Sequence, residues 1–338
     1  MRPITSDKIC SKADLTENLK VSTLMKLYFA PLEGITTYVF RNAFDGLYGN
    51  IDKYFAPFFI PAEKCPIAPR EKKDIIPENN KGVNLVPQLL TNRSACFIEA
   101  AKELQDMGYK EMNLNLGCPS GTVCAKGAGA GFLKDMSALR FFLDDIYSYA
   151  GSEGMKISIK TRLGYEDPED FIALTDIFNC FPVSELIVHP RIRSDFYKGE
   201  PRKEYFAYAK EHCKCPLVYN GNIFEAKDYG ELSDQFGTGT DTIMLGRGLI
   251  SDPSLAEKLK GISTETDFEK FRKLHDTVYH GYQKIMSPDI NVLHKMRELW
   301  TYWQTMFDGK EKNIKKLMKA KHYAEYEEVL WTILFQTE

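Results

Sequence analysis

The sequence predicts an α/β chain: a (β/α)8 barrel of the TIM type followed by a small C-terminal helical bundle. Two patterns carry this reading. Eight short β-rich runs are separated by helix-length segments, as in βαβ units on a parallel sheet, and after Pro253 these runs give way to long amphipathic repeats. A third observation favours a closed barrel over a doubly wound open sheet. Nearly every run ends in a residue able to do chemistry, and barrel enzymes gather their sites at the carboxyl ends of their strands.

Residues 1–23 are polar, lack a clear period and precede a second methionine, Met25, so they read as an extension outside the fold. The eight runs are KLYFA (26–30), IDKYFAPFF (51–59), NLVPQLL (84–90), EMNLNLG (111–117), MKISIKTRLG (155–164), ELIVHPR (185–191), PLVYNG (216–221) and DTIMLGRG (241–248). Their ends offer Glu33, Gln88, Asn115 with Cys118, Lys160 with Arg162, His189 with Arg191, Asn220 with Asn222, and Arg247. The barrel domain is therefore expected over 24–252. A helical domain is expected over 253–338, with helices at Phe268–Ile285, Asp289–Met306, Lys312–Ala320 and Tyr323–Phe335. Trp300, Trp303, Phe307 and Trp331 are expected in its core.

The bulk numbers exclude several classes. A chain of 338 residues with 43% hydrophobic and 27% charged residues is ordinary for a globular protein. No apolar stretch approaches the ~18 residues needed to cross a bilayer. A net charge of −3 lacks the basic excess of a dedicated nucleic-acid binder. Any RNA contact must be local, and the best local stretch is KEKNIKKLMKAKH (310–322). There Lys312, Lys315, Lys316 and Lys319 fall at i, i+3, i+4 and i+7 on one helical face, a surface suited to phosphate. Eight cysteines without CxxC spacing, behind an amino terminus with no apolar signal segment, point to the cytoplasm and to free thiols. Cys213-x-Cys215 has no second Cys/His pair, so no metal is expected.

The chemistry concentrates in NLNLGCPSGTVCAKGAGAGFL (113–133). An alternating run ends at Gly117, and Gly117 and Pro119 force a turn that presents the Cys118 side chain. The turns YNGNI (219–223) and LGRG (245–248) stand where barrels commonly bind phosphate through backbone amides, and Arg247 adds a charged fork. Lys160, late in its strand, is expected inside the barrel, where a buried ammonium calls for an anionic partner.

Together these residues resemble the FMN-dependent tRNA-dihydrouridine synthases. APLEG (30–34) with FR (40–41), NLGCPS (115–120) with GAGA (127–130), KTRLG (160–164), VHPR (188–191) with YKG (197–199), NGN (220–222) and GRG (246–248) occur in that family's order and spacing. The resemblance runs from about Lys26 onward. It implies that Pro31, Leu32 and Glu33 lie against FMN, that Gln88 and Lys160 contact its ring, and that His189 lies alongside. Asn220, Gly221, Asn222, Gly246 and Arg247 would hold its ribityl and phosphate parts. It makes Cys118 the proton donor and puts Asn115, Arg162 and Arg191 on the target uridine or neighbouring phosphates. Thr37, Pro190 and Asn222 depart from the family's pattern.

The implied reaction begins with hydride transfer from NADPH to FMN. A uridine rotated out of its RNA then receives hydride at carbon 6 and a proton from Cys118 at carbon 5. The partner is tRNA, with ribosomal RNA open, and the helical domain, with Lys295 and Arg297 beside its lysine stripe, would hold it. A monomer with no membrane contact is expected. The alternatives are a flavin-dependent reductase of a free pyrimidine or enone, and a noncatalytic RNA- or flavin-binding protein.

Overall fold

The computed structural model describes residues 25–237 and 241–335, so the extension expected over 1–23 lies outside the described residues. Nine strand segments form one sheet: β1 (Lys26–Phe29), β2 (Lys53–Phe55), β3 (Leu85–Val86), β4 (Gln88–Leu89), β5 (Glu111–Leu116), β6 (Lys156–Arg162), β7 (Leu186–His189), β8 (Leu217–Tyr219) and β9 (Thr242–Leu245). Their pairing is parallel, in the order β3-β2-β1-β9-β8-β7-β6-β5-β4. The segments β3 and β4 are one strand interrupted at Pro87, which has no N–H to give a ladder. The Pro87 carbonyl still accepts from the Asn113 amide at 2.9 Å. With β3 on β2 and β4 on β5, eight strands close a ring, as the eight runs predict.

Alternate residues of each strand point inward and form layers. At the floor, the Lys53 ammonium donates to Glu111 and Glu185 at 2.8–3.0 Å, and the Tyr28 hydroxyl donates to Glu185 at 2.6 Å. Above it lies an apolar layer of Phe55, Val86, Ile187, Val218 and Met244. Amides and cations come next, at the strand ends. The outward residues, such as Leu27, Phe29, Leu114 and Ile159, are buried under the surrounding helices.

Those helices are α1 (Tyr38–Leu47), α2 (Pro69–Ile75), α3 (Ser94–Asp106), α4 (Gly121–Cys124), α5 (Met136–Glu153), α6 (Asp170–Phe178), α7 (Lys203–His212), α8 (Ala226–Phe236), α9 (Arg247–Ser251) and α10 (Leu255–Leu259). In α5 local signals and packing agree. Asp135 caps it by accepting from the Ala138 amide at 2.9 Å, Gly154 ends it at φ +66°, and Leu139, Leu143, Ile146 and Ala150 form its buried face.

The C-terminal helices are α11 (Phe268–Ile285), α12 (Asp289–Trp303) with a 3-10 turn over Gln304–Met306, α13 (Glu311–Leu317) and α14 (Tyr323–Phe335). Trp300, Trp303 and Phe307 are buried, and the Trp300 indole donates to the Tyr326 hydroxyl at 2.8 Å. Trp331 corrects the expectation of a fourth core aromatic: it is 54% exposed and stacks on Phe335, because α14 turns Tyr326, Val329, Leu330 and Ile333 inward. The lysine stripe is also shorter than expected. α13 ends at Leu317, so Lys319 lies beyond it, although Lys312, Lys315, Lys316 and Lys319 are all exposed.

The helical region is docked against the barrel mouth. α11 lies across α1, with the Thr37 hydroxyl 2.8 Å from the Tyr282 hydroxyl. Lys295 of α12 donates to the Gly34 carbonyl at 3.0 Å. Gly281 lets α11 approach, since a Cβ there would stand 2.6 Å from Val39 Cγ1. Val39 is β-branched and stiff on its helix. We therefore expect Gly281→Ala to couple to Val39. Next to Val39→Ala it should stabilise the fold by about 1 kcal/mol through helix propensity. Next to Val39 the overpacking of about 1–3 kcal/mol should cancel or reverse that gain. A double-mutant cycle in urea without coupling would contradict this contact.

Candidate active site

The strand ends surround a cavity of about 350 Å³. Cys118, Asn115, Lys160, Arg162, His189, Asn220, Gly221, Gly246 and Arg247 line it, with Pro31, Leu32 and Glu33 at the rim. These residues come from six different strand ends. Three of the residues expected here, Gln88, Arg191 and Asn222, do not line the cavity but bond to residues that do.

Gln88 is fully buried one layer down. Its amide donates to Asn113 Oδ1 at 2.7 Å and accepts from Asn115 Nδ2 at 2.8 Å. Asn113 donates in turn to the Ser158 hydroxyl at 2.9 Å. Asn115 Oδ1 then accepts from the amides of Gly117 and Cys118, both at 2.9 Å. A chain of buried side-chain amides thus runs from β6 to the turn that carries the thiol. A satisfied network of this kind holds one geometry, because any rearrangement strands a buried polar group. Behind the turn, Gly129 at φ +56° comes so close that a Cβ would lie 2.9 Å from the Cys118 carbonyl oxygen. The loop can wrap the Cys118 turn because Gly129 has no side chain to hold it off.

Burial pushes the Cys118 thiol above its usual range, opposed in part by a backbone hydrogen bond from Ser120. The thiol is therefore protonated at neutral pH. Burial also pulls the Lys160 ammonium down to about 7, helped by Arg162. No hydrogen bond or ion pair satisfies Lys160 among the described residues. His189 is pushed well below its usual value by burial and by Arg162, Lys160, Arg191 and Arg247 around it, so its ring is neutral. Arg191 donates to His189 Nε2 at 2.9 Å. A guanidinium can only donate, so the ring proton sits on Nδ1.

The arginines tie the loops together. Arg162 donates to the carbonyls of Gly117 at 2.8 Å, Ile192 at 3.0 Å and Phe196 at 2.8 Å, joining the β5 and β7 loops, and burial lowers it to about 10. Arg191, fully buried, donates to the Lys198 and Gly199 carbonyls and to Asn222 Oδ1 at 3.2 Å. Asn222 Oδ1 also accepts from Arg247 at 3.1 Å. The asparagine carbonyl thus spaces two guanidinium groups.

The family model for dihydrouridine synthase (Dus) matches residues 28–335. The chain belongs to the dihydrouridine synthase family. A tRNA-dihydrouridine(16) synthase of Pseudomonas syringae pv. tomato is 29% identical over 240 residues, 70% of this chain and 74% of that protein. A probable tRNA-dihydrouridine synthase of Staphylococcus epidermidis is 26% identical over 320 residues, 92% of this chain and 95% of that one. Among solved structures, the old yellow enzyme homologue from Zymomonas mobilis matches at a TM-score of 0.52 and 11% identity. It covers 78% of this chain and 96% of that one, a likeness of fold alone.

Membership in this family frames the residues that sequence reasoning missed. Phe58, Tyr197 and Tyr302 also line the cavity. Tyr302 comes from α12, so the helical region supplies part of the wall, and nothing in an amphipathic helix singles out that half-buried tyrosine. Asn113 and Ser158 had a readable signal. They are polar at inward positions of strands whose period is two, beside Asn115 and Lys160. Lys295 and Arg297, expected to meet RNA, are engaged within the fold: Lys295 bonds Gly34 and Glu298, and Arg297 bonds the Ala320 carbonyl.

Proposed function

We propose that this chain reduces the carbon 5–carbon 6 double bond of uridines in tRNA, using NADPH through FMN, with Cys118 as the proton donor. The observation that carries the proposal is a partly buried free thiol and an unpartnered lysine lining one cavity at the carboxyl ends of the barrel strands, in a member of this family.

The residues present fit FMN. Lys160, Arg162 and Arg247 line the cavity while the sole carboxylate on its wall, Glu33, is exposed at the rim, so the interior favours an anion. Asn220, Gly221, Gly246 and Arg247 would hold the ribityl and phosphate parts, with Pro31, Leu32 and Glu33 against the ring and Lys160 and His189 beside it. When bound and reduced, FMN supplies the hydride that reaches carbon 6. Cys118 holds the proton that carbon 5 takes, and the Asn115 carbonyl fixes the turn that aims it. Asn115 and Arg162 would bound the uracil. Gln88, Arg191 and Asn222 act through Asn115, His189 and Arg247 rather than by touching a ligand.

No helix among the described residues is long and apolar enough to cross a membrane. The test uses tRNA transcripts lacking dihydrouridine, with free uridine and a ribosomal RNA fragment in parallel, and FMN measured on denaturation. NADPH-dependent dihydrouridine in tRNA is expected. Equal reduction of free uridine would sink the RNA reading. Changing Lys312, Lys315, Lys316 and Lys319 together to Glu should weaken tRNA binding at least tenfold and flatten its salt dependence, since each lost single-strand phosphate contact lowers the slope by about 0.7. Unchanged affinity would remove that surface from the interface.

A further inference from the structure

A second cluster of cations and aromatic rings stands on the lip of the cavity, outside the site just described. The loop after β7 carries Arg193, Phe196 and Tyr197. Tyr197 lines the cavity, while the adjacent Phe196 projects outward with 42% of its surface exposed. Phe196 holds φ +50°, which a bulky L residue adopts only at a cost of about 1–3 kcal/mol, and such strain gathers at functional positions. The Arg193 guanidinium lies 5.0 Å from the Phe196 ring and 5.4 Å from the Tyr165 ring. Lys134, at the end of the glycine loop, lies 3.8 Å from that same Tyr165 ring. The row therefore reads Lys134, Tyr165, Arg193, Phe196, with cation and ring alternating.

Neither Lys134 nor Arg193 has an acidic partner among the described residues. Of the two acids of the β7 loop, Asp195 pairs with Arg202, and Glu200 acts on Arg191. The row is also joined to the reacting centre, since Arg193 donates to the Pro119 carbonyl at 3.1 Å, next to Cys118. Single-stranded nucleic acid is bound by this combination of unpaired cations that track phosphates and exposed rings on which bases stack. A base rotated into the cavity leaves its chain neighbours unstacked at the lip.

We propose that this lip is a subsite for the nucleotide next to the target uridine, with its base stacked on Phe196 and its phosphate between Lys134 and Arg193. The inference rests on the RNA-reducing function proposed above. It accounts for the exposure of Phe196 and the unpaired charges, which the cavity itself does not use.

The test measures binding of the FMN-loaded protein to a short oligouridylate, by fluorescence anisotropy across a salt series. Phe196→Ala should weaken binding about tenfold, within the range of one lost base stack, and Phe196→Trp should restore it. Lys134→Ala, on an exposed side chain whose loss cannot unfold the core, should lower the salt slope by about 0.7. FMN content should be unchanged in all three. Parental affinity and slope in Phe196→Ala and Lys134→Ala, with RNA bound and reduced normally by the parent, would overturn the subsite alone. A parent that binds no oligouridylate and forms no dihydrouridine would overturn the function with it.

Discussion

Replacing Cys118 with alanine is expected to slow dihydrouridine formation by about 10²–10⁴-fold, the usual worth of a positioned acid, while leaving FMN content at the parental level. The physical basis is the state of the thiol. Burial raises it, so at neutral pH the thiol keeps the proton that the proposed reaction would deliver to carbon 5. Activity that depends on this proton is expected to hold through neutral pH and to fall only as the pH rises through a value above the usual thiol range. Cys118→Ser should be nearly as slow as Cys118→Ala, because a hydroxyl is a far weaker acid of almost the same shape. Single-turnover reduction of tRNA, followed against pH, checks both statements. Parental rates in the alanine variant would remove Cys118 from the chemistry.

Lys160→Met is expected to move two measurements in opposite directions. In the flavin-free protein the ammonium has lost water and gained no partner, which lowers it from 10.5 to about 7. Between those values the unfolded chain binds the proton and the folded chain does not, so folded stability rises with pH across this window. The full change is of order 4–5 kcal/mol. Methionine carries no such penalty. The flavin-free Lys160→Met protein should therefore be more stable than the parent below about pH 7, with the difference vanishing toward pH 10.5. FMN affinity should fall about 10–100-fold in the same variant, the worth of a charge-assisted hydrogen bond. Chemical denaturation and FMN titration at several pH values read the two effects separately. A parent that is equally stable at pH 6 and pH 9, or a variant with undiminished FMN affinity, would contradict the assignment of Lys160 to an anion.

The lysine and the thiol could be read from sequence because each sits at a strand end, where one-dimensional pattern and three-dimensional position coincide. Gln88, Arg191 and Asn222 mark the limit of that logic. Each stands where its strand end should meet the cavity. Gln88 lies one layer below the cavity, and Arg191 and Asn222 lie outside its lining, the three bonded to Asn115, His189 and Arg247 instead. Trp331 misled for a related reason. Its helix has apolar residues on more than one face, and only packing against the neighbouring helices selected which face was buried.

The alternation of strand residues, the spacing of the runs and the glycine turns by themselves determined the barrel, the helical bundle and the clustering of Cys118, Lys160, His189 and Arg247. These are consequences of the two-residue pleat and of barrel topology, which act locally along the chain. Tertiary structure alone decided which polar residues reach the cavity and which brace those that do. It also decided that Tyr302 of the bundle closes the wall. The physical reason is that a side chain's hydrogen-bond partners lie on other strands and loops, so its role is settled only when the ring closes and brings those partners together.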